Sequence, residues 1–452
     1  MAELTFIGAA GTVTGSKHLL TVDGKRVLID CGLFQGPADV TELNSQPLPV
    51  ADAQIDAVVV THGHLDHVGY LPKLVHDGFA GPIYCTPPTE AVMQIVLDDS
   101  ANLQAELQER GYQHQRPYAP PAYYDPHDVE RTMKLVQPVA LHQSFDVAGI
   151  LTATYFDAGH IIGSAFAALE FAGKRVVFSG DVGRYGRPLL FDPEPIGPAD
   201  ALICESTYAD RVHPPQPLDD LCSVLHSGLA RGGAVVIPAF AIERTQDILL
   251  AIATLQAQDA QIARLPIHLD SPMAEKVDTV FEKFPAAHKP MPNDSLATPF
   301  GVRNLTIHVT TQESKALNHV DGAHVIISAS GMASGGRVLH HLHNHLSDPK
   351  ATIVFPGFQS PGTLGYILTH GAKQISLYGD RLPIRAAIVH IAGFSAHADR
   401  NELHRWFETC TTKPQLYAVH GEAASAAALG EMATSAFGWK AAVAHRGTTV
   451  TL

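Results

Sequence analysis

Cysteine is scarce in this chain, and its pattern carries no sign of a disulfide framework. The five cysteines are an odd number, and no two of them are spaced as C-x-x-C; they are Cys31, Cys85, Cys204, Cys222 and Cys410. An odd set without paired spacing excludes a disulfide-stapled secreted scaffold. It predicts reduced thiols in a cytoplasmic protein.

Positive charge and long apolar runs are lacking as well. The chain holds 31 Lys and Arg against 45 Asp and Glu, a formal net charge of −14. Such a balance excludes a generally basic surface for nucleic acids. No uncharged stretch is long enough to span a bilayer, and the first residues lack a basic and apolar leader. We therefore expect neither membrane insertion nor export.

Length and patterning predict more than one domain. At 452 residues, 46% hydrophobic and 17% charged, the chain is globular and too long for one ordinary core. A hairpin is predicted at Asp23-Gly24. From about Ser206 helical and strand patterns alternate, which predicts a largely parallel sheet with helices on both faces. Short strands return after Asp380, so the simplest architecture is a metal domain interrupted by an inserted α/β domain.

One short segment concentrates metal-binding side chains. It follows the apolar run from Ile55 to Val60 and carries three imidazoles and one carboxylate in six positions: His62, His64, Asp66 and His67. Alternate residues of an extended chain face the same side. Zinc binds imidazole nitrogen and carboxylate oxygen. Ligand type and spacing therefore predict a metal site.

Four later strand ends offer an acid or a histidine. They are Asp157-Ala158-Gly159-His160, Ser179-Gly180-Asp181, Cys204-Glu205-Ser206-Thr207-Tyr208 and Val419-His420-Gly421-Glu422. Each is weak evidence on its own, because a lone histidine is more often structural and an aspartate in a turn is often a cap. Together with the histidine-rich segment at His62–His67, these strand ends predict the remaining ligands of the metal site.

With these motifs together, the chain resembles the metallo-β-lactamase-fold hydrolases of the β-CASP subgroup, which are RNA- and DNA-processing nucleases. The resemblance covers essentially the whole chain. Asp30 fits the first acidic position, and His62-x-His64-x-Asp66-His67 fits the signature motif. The other matching positions are His160, Asp181, Glu205, His397 in Phe394-Ser395-Ala396-His397-Ala398-Asp399, and His420.

The resemblance implies an α/β fold, namely an αββα metallo-β-lactamase sandwich with an inserted α/β β-CASP domain. The implied domains are 1–206 for the first part of the sandwich, 207–382 for the insertion, and 383–452 for the C-terminal return, an RNA-specificity region.

The resemblance also implies two Zn²⁺ per chain and assigns the residues that hold them. One ion would take His62, His64, His160 and Asp181; the other would take Asp66, His67, Asp181 and His420. Asp66, Asp181, His397 and Glu205 would be catalytic. His397 would contact the scissile phosphate or protonate the leaving oxygen, with Glu205 or Asp399 orienting it.

A glycine-rich stretch offers a candidate contact for a substrate phosphate: Ser330, Gly331, Gly335, Gly336 and Arg337. Backbone N–H groups of such a turn can bind phosphate, but the stretch can equally be a tight turn that caps the following helix. On that helix His341 and His345 have a spacing that can bind metal. No acid lies between them, so surface histidines are the expectation.

The predicted function is that of a zinc-dependent phosphodiesterase that cleaves single-stranded RNA by attack of metal-activated hydroxide, in endo- or 5′-exo mode. DNA as a substrate and a homodimer are left open. One alternative is a hydrolase of a small ester, thioester or lactone, and another is a non-catalytic scaffold. Because the chain is acidic, we expect phosphate capture to depend on local cations: Arg184, Arg187, Arg244 and Arg337.

Overall fold

The computed structural model describes residues 2–113, 122–290, 299–360 and 362–452. Its strands in chain order are β1 (Ala2–Gly8), β2 (Lys17–Val22), β3 (Lys25–Ile29), β4 (Ala57–Val59), β5 (Ile83–Cys85), β6 (Val136–Pro138), β7 (Ser144–Val147), β8 (Leu151–Asp157), β9 (Ala165–Phe171), β10 (Lys174–Phe178), β11 (Ala201–Glu205), β12 (Ala234–Pro238), β13 (Ile267–Asp270), β14 (Leu305–Ile307), β15 (His324–Ser328), β16 (Thr352–Phe355), β17 (Gln374–Leu377), β18 (Asp380–Pro383), β19 (Ala387–His390), β20 (Gln415–Val419), β21 (Lys440–Val443) and β22 (Thr449–Thr451).

Its helices in chain order are α1 (Ala38–Thr41), α2 (Leu65–Val68), α3 (Leu71–His76), α4 (Pro87–Gln113), α5 (Pro126–Met133), α6 (Pro217–Arg231), α7 (Arg244–Gln258), α8 (Pro272–Lys283), α9 (Thr311–Ala316), α10 (Val338–His345), α11 (Leu364–Thr369), α12 (Arg400–Phe407) and α13 (Ala423–Phe437). Within the described residues, no helix is both long and apolar enough to cross a membrane. All five cysteines are unpaired.

The chain divides into two compact units. Unit 1 comprises Met1–Val212 and His397–Leu452, and unit 2 comprises His213–Ala396. In unit 2, β19 pairs with β16, so the chain stays in this unit beyond residue 382. The domain boundaries 1–206, 207–382 and 383–452 stay predictions.

Unit 1 is built on two seven-stranded sheets, as expected for an αββα sandwich. Their orders are β22-β1-β2-β3-β4-β5-β6 and β21-β20-β11-β10-β9-β8-β7. The predicted hairpin at Asp23-Gly24 is confirmed, because β2 pairs antiparallel with β3 across it. Apolar side chains of both sheets form one core, which includes Leu4, Val59 and Val176. This core holds the two sheets face to face.

Strand β11 is covered on both faces of its sheet, which explains why polar and apolar residues do not alternate in its sequence. All five of its residues are buried. Ile203 belongs to the core between the sheets. Leu202 and Cys204 point to the opposite face, where they pack with Trp406 of α12 and Leu429 of α13. A strand covered on both faces needs a continuous apolar run, which the segment Ala-Leu-Ile-Cys provides.

Unit 2 contains the parallel sheet that the alternating pattern predicted. Its order is β14-β13-β15-β12-β16-β19, and each neighbouring pair is parallel. Helix α10 packs on one face through Val338 and Leu342, which share a core with Val236 and Ile326. An additional antiparallel hairpin joins β17 to β18.

One buried carboxyl group in unit 2 has a single polar partner. Asp278 on α8 is buried, and its Oδ1 accepts a hydrogen bond of 2.8 Å from Gln246 Nε2. Its Oδ2 is buried and has no hydrogen-bond partner within the described part of the chain. Burial raises the pKa of Asp278 from 3.8 to about 7, because the charged form is costly in this environment.

We predict that Asp278→Asn removes part of the pH dependence of stability. In the native protein the folded chain keeps the Asp278 proton up to about pH 7, whereas the unfolded chain releases it near 3.8. Wild-type stability therefore falls as the pH rises between these values, by roughly 2–4 kcal/mol from this group. Urea unfolding at a series of pH values measures the slope, with the exposed Asp321→Asn as control. Equal slopes in wild type and Asp278→Asn would contradict the prediction.

Candidate metal centre

Three adjacent parallel strands bring three of the predicted residues to one edge of a sheet. Strands β10, β11 and β20 pair in parallel, with Glu205 directly opposite Val419. Asp181 follows β10, Glu205 ends β11, and His420 follows β20. Because the carboxyl ends of parallel strands meet at one edge, the register alone places these side chains together.

The histidine-rich segment lies at the end of β4. His62 and His64 are in the loop after this strand, and Asp66 and His67 are in the first turn of α2. Hydrogen bonds from two other segments hold the backbone of this segment: Ser16 N donates to Asp66 O at 2.8 Å, and Cys31 N donates to His67 O at 2.7 Å. The four polar side chains are thereby presented by one short, tightly held loop.

One group of donor atoms comprises His62, His64, His160 and Asp181. His64 Nδ1 lies 3.1 Å from His62 Nε2 and 3.3 Å from His160 Nε2. Asp181 Oδ2 lies 3.4 Å from the Nε2 atoms of both His62 and His160. Three imidazoles and one carboxylate oxygen thus face one another.

A second group comprises Asp66, His67 and His420, and Asp181 adjoins it through its other oxygen. His67 Nε2 lies 3.2 Å from His420 Nε2, and His420 Nε2 lies 3.3 Å from Asp66 Oδ2. Asp181 Oδ1 lies 3.4 Å from His67 Nε2 and 3.6 Å from His420 Nε2. The carboxylate of Asp181 is therefore shared between both groups.

The donor atoms fit metal ions. A tetrahedral zinc ion with bonds of about 2.0–2.2 Å has ligand atoms about 3.3–3.6 Å apart, which is close to the distances within both groups. Asp181 Oδ1 is buried and makes no hydrogen bond to any described residue. A buried anionic oxygen without a proton donor is costly, and a cation would satisfy it.

Burial and charge set the protonation of the imidazoles. Burial lowers the pKa of His64 to about 3 and holds the pKa values of His62 and His160 below 6.5, so these rings are neutral with a lone pair for a metal. Although burial acts in the other direction, the carboxylates of Asp181 and Asp30 raise the pKa of His67 well above 6.5. The same negative charge attracts a cation.

Asp30 and Thr61 hold the first strand end in place. Asp30 Oδ2 accepts a hydrogen bond of 2.7 Å from His67 Nδ1. Its two oxygens also accept from Thr61 N at 2.8 Å and Thr61 Oγ1 at 2.9 Å. A carboxylate behind a metal-binding imidazole fixes the ring and its tautomer. The acidic position at Asp30 was recognised in the sequence, but its partners were not.

Lys17 is a supporting residue that the sequence reading missed. Its side chain is almost fully buried, and its Nζ donates to Gly32 O while lying 4.6 Å and 4.7 Å from the ring centres of Phe34 and Tyr70. Burial lowers the pKa of Lys17 to about 8. A lysine at the start of a largely apolar strand is the signal that could have indicated this position.

His397 is bound to Glu205 beside the first group. His397 Nδ1 lies 3.1 Å and 3.2 Å from the two carboxylate oxygens of Glu205 and 3.9 Å from Asp181 Oδ2. Its side chain is 21% exposed, whereas that of Glu205 is fully buried. Glu205 is itself held by Val182 N, which donates to Oε1 at 2.7 Å. Burial lowers the pKa of His397, but the carboxylates of Glu205 and Asp181 outweigh it and raise the value to about 9.

Asp399, the other candidate partner of His397, has a different role. Its side chain accepts hydrogen bonds from the backbone N–H groups of Asn401 and Glu402 and caps α12 in a capping box. Asp399 thus begins the helix that directly follows His397, and Glu205 is the carboxylate that orients the imidazole.

The predicted phosphate-binding stretch belongs to unit 2 and forms a turn that leads into α10. Ser330 Oγ accepts from Ser334 N at 3.0 Å, and Gly336 has a φ of +77°. Arg337 NH1 donates to Asp270 Oδ1 at 2.8 Å and to His308 O at 3.0 Å, and its NH2 donates to Val309 O at 2.6 Å. These contacts give Arg337 a structural role, and the phosphate contact stays a prediction.

The other arginines named for phosphate capture also have internal partners. Arg187 NH1 donates to His160 O at 2.8 Å, Arg184 Nε lies 3.4 Å from a carboxylate oxygen of Glu402, and Arg244 NH1 donates to Pro356 O. Arg187 and Arg244 are each only 7% exposed. Capture of phosphate by these arginines stays a prediction that their burial makes harder to fulfil.

Comparison with known families agrees with this architecture. Residues 13–255 match the metallo-beta-lactamase superfamily. The chain belongs to this superfamily. Residues 245–368 match the Beta-Casp domain, and residues 381–444 match the Zn-dependent metallo-hydrolase RNA specificity domain. The protein is therefore a β-CASP member of the metallo-β-lactamase superfamily, as the sequence motifs implied, and it has the fold of a metal-dependent hydrolase.

Several relatives match along nearly the whole chain. Ribonuclease TTHA0252 of Thermus thermophilus is 37% identical over 430 residues, which cover 94% of each chain. An RNase J-like protein of Methanocaldococcus jannaschii is 30% identical, with 93% of each chain covered. Transcription termination factor FttA of Methanosarcina mazei is 30% identical, with 93% of this chain and 67% of that protein covered.

Among solved structures, a protein of unknown function from Enterococcus faecalis V583 matches with a TM-score of 0.55. Its sequence identity is 12%, and the match covers 100% of both chains. At this identity the likeness concerns the fold alone.

We predict that Gly32→Ala lowers metal affinity without touching a ligand. A Cβ at position 32 would lie 1.6 Å from Asp66 O and 2.5 Å from His67 N, so the ligand loop must shift. A displacement of this size should cost at least about 10-fold in metal affinity, the lower end of what loss of a supporting contact costs. Competition with a chelator measures it. In Gly430→Ala the new Cβ meets only Ala441 at 3.7 Å, and equal losses in both variants would contradict the prediction.

Proposed function

We propose that this protein is a zinc-dependent ribonuclease that hydrolyses phosphodiester bonds of single-stranded RNA. Two Zn²⁺ ions per chain would be held by His62, His64, His160, Asp66, His67 and His420, with Asp181 shared between the ions. The observation that carries the proposal is the position of Asp181, whose two oxygens face two separate sets of imidazoles.

The donor chemistry supports zinc as the metal. The ligand set is rich in imidazole, contains carboxylate oxygen and has no thiolate, which suits zinc in a hydrolytic site. When bound, a zinc pair supplies a water of lowered pKa and positive charge for the phosphoryl oxygens. The carboxylate of Asp181 fixes the spacing of the two donor groups, because each oxygen belongs to one of them.

His397 is proposed to act on the substrate, with Glu205 as its positioning residue. Since Nδ1 donates to Glu205, proton transfer to a leaving oxygen would use Nε2. The carboxylates of Glu205 and Asp181 keep the ring protonated, because they raise the pKa of His397 to about 9. A protonated imidazole beside the donor groups is suited to stabilise the charge of a phosphate or to donate a proton.

The substrate class rests on relatives that are ribonucleases by name and on the match to an RNA specificity domain. Hydrolysis of a small ester, thioester or lactone is the alternative, and no observation favours it.

The deciding assay uses single-stranded RNA and DNA labelled at the 5′ or the 3′ end, next to a thioester and a lactone, with zinc-loaded protein. RNA cleavage supports the proposal, and hydrolysis of the small substrates alone overturns it. Product lengths distinguish endo- from 5′-exo action.

We predict that Asp181→Ala removes most of the bound zinc and abolishes RNA cleavage. The variant takes one donor from each group at once, whereas a histidine variant takes one donor from one group. Loss of zinc is measured by elemental analysis after gel filtration, and cleavage is measured on labelled RNA. Asp39→Ala, a change of an exposed aspartate on α1, is the control. Full zinc content in Asp181→Ala would show that the two groups do not share this carboxylate.

We predict that His397→Ala keeps its zinc but turns over RNA more slowly. His397 lies outside both donor groups, and loss of one general acid typically costs about 10²–10⁴-fold in rate. His404→Ala, on α12 with a side chain that is 42% exposed, is the control and should cleave normally. A variant that loses zinc would instead place His397 among the ligands.

A further inference from the structure

A second histidine cluster lies in unit 2, outside both donor groups of the candidate metal centre. Its members are His268 on β13, His324 on β15, and His341 and His345 on α10. His268 is opposite Ile326 in the register of β13 and β15, so His268, His324 and Ile326 share one sheet face. Ile326 packs against α10. The four imidazoles therefore lie between the sheet and this helix.

The expectation of surface histidines on α10 is wrong for His341. Its side chain is 1% exposed, because the helix turns this position toward the sheet. His345 follows one helical turn later and is half-buried. The spacing that can bind metal thus faces the interior, and two further histidines lie opposite it.

The rings of this cluster are further apart than those of the first donor group. There, the ring centres of His62, His64 and His160 are 4.9–5.2 Å apart. In unit 2, the ring centre of His324 lies 5.8 Å from that of His268 and 6.3 Å from that of His345. Among the described residues, these four histidines are not a group whose ligand atoms already lie close enough together to hold an ion, so binding would require the side chains to rotate toward one another.

The hydrogen bonds of the cluster leave a nitrogen unused on each ring. His341 Nε2 donates to Asp270 Oδ2 at 2.6 Å, and His324 Nδ1 donates to Gly322 O at 2.9 Å. His268 Nδ1 lies 3.1 Å from His308 Nε2. The remaining nitrogens are buried without a hydrogen-bond partner among the residues that the structure describes; they are His268 Nε2, His324 Nε2, His341 Nδ1 and His345 Nε2.

This hydrogen-bond pattern is typical of metal-binding histidines. A carboxylate or carbonyl oxygen can only accept, so it fixes the proton on the bonded nitrogen and leaves a lone pair on the other. Metal ligands in proteins commonly donate their second nitrogen to such an oxygen. Burial also lowers the pKa values of His268 and His345 to about 4 and lowers that of His324, so these rings stay neutral at pH 7.

We propose that His268, His324, His341 and His345 bind one divalent transition-metal ion, with Zn²⁺ as the preferred ion. Four imidazoles complete a tetrahedral site and leave no position for substrate, so the ion is structural rather than catalytic. The carboxylate of Asp270, which is hydrogen-bonded to His341, compensates part of the charge of the ion. The ion would tie α10, and with it the turn at Ser330–Arg337, to strands β13 and β15.

The test compares the zinc content of full-length variants after gel filtration. His324→Gln should hold about one zinc ion fewer than wild type and should still cleave RNA. His319→Gln, a change of an exposed histidine in the same unit, should match wild type. Equal zinc contents in His324→Gln and wild type would overturn the proposal. A loss of zinc in His319→Gln as large as that in His324→Gln would overturn it as well.

A second comparison covers the case in which His324→Gln does not fold. His345→Gln alters a half-buried ligand at the end of α10 and should show the same deficit of zinc. In addition, Asp181→Ala, which loses the two ions proposed for unit 1, should keep about one further zinc ion in unit 2, and the added His345→Gln change should remove that ion. Far-UV circular dichroism confirms folding. Retention of that ion in the double variant would overturn the proposal.

Discussion

The carboxylate of Asp181 is the interaction around which unit 1 is arranged. It is 2% exposed and lies within 3.4–3.6 Å of imidazole nitrogens on both sides. A buried charge of this kind is strongly unfavourable unless opposite charge or proton donors surround it. The strand ends of both sheets supply those partners, so the polar groups at the sheet edge are mutually dependent.

Close backbone packing gives this centre its rigidity. A Cβ at position 183 would lie 1.8 Å from Gly159 O, just before His160. A Cβ on Gly180, which has a φ of +52°, would lie 2.7 Å from the side chain of Thr61. The loop that carries Asp181 therefore packs directly against the main chain before His160 and against the Thr61 side chain before His62. Ligands held in this way keep their geometry when no ion is bound, which lowers the cost of binding one.

The sequence alone predicted those features whose residues lie close together in the chain or repeat with a regular period. His62, His64, Asp66 and His67 are recognisable because ligand spacing lies within six residues. The parallel sheet of unit 2 is recognisable because helix and strand periods alternate. Asp181 and His420 needed the family resemblance, since an acid or a histidine after a strand has many explanations.

What the sequence could not predict depends on contacts between distant residues. The burial of His341 depends on strands β13 and β15, and its carboxylate partner Asp270 is 71 residues away. Likewise Arg337 looked available for phosphate because nothing near it in sequence binds a guanidinium. Its partners are Asp270, His308 and Val309. Pattern reasoning sees neighbours along the chain, whereas these roles are set by tertiary packing.

The position of His420 has a consequence for biosynthesis. It lies 354 residues after Asp66, its nearest carboxylate, and β20 pairs with β11 across about half of the chain. Because domains assemble from the N-terminus as the chain emerges, a nascent chain that has not reached His420 holds only an incomplete set of donors. The second donor group is therefore completed late, after the segment that carries Asp66 and His67 has already left the ribosome. An unfinished copy of this protein would therefore lack one of the imidazoles that face Asp181.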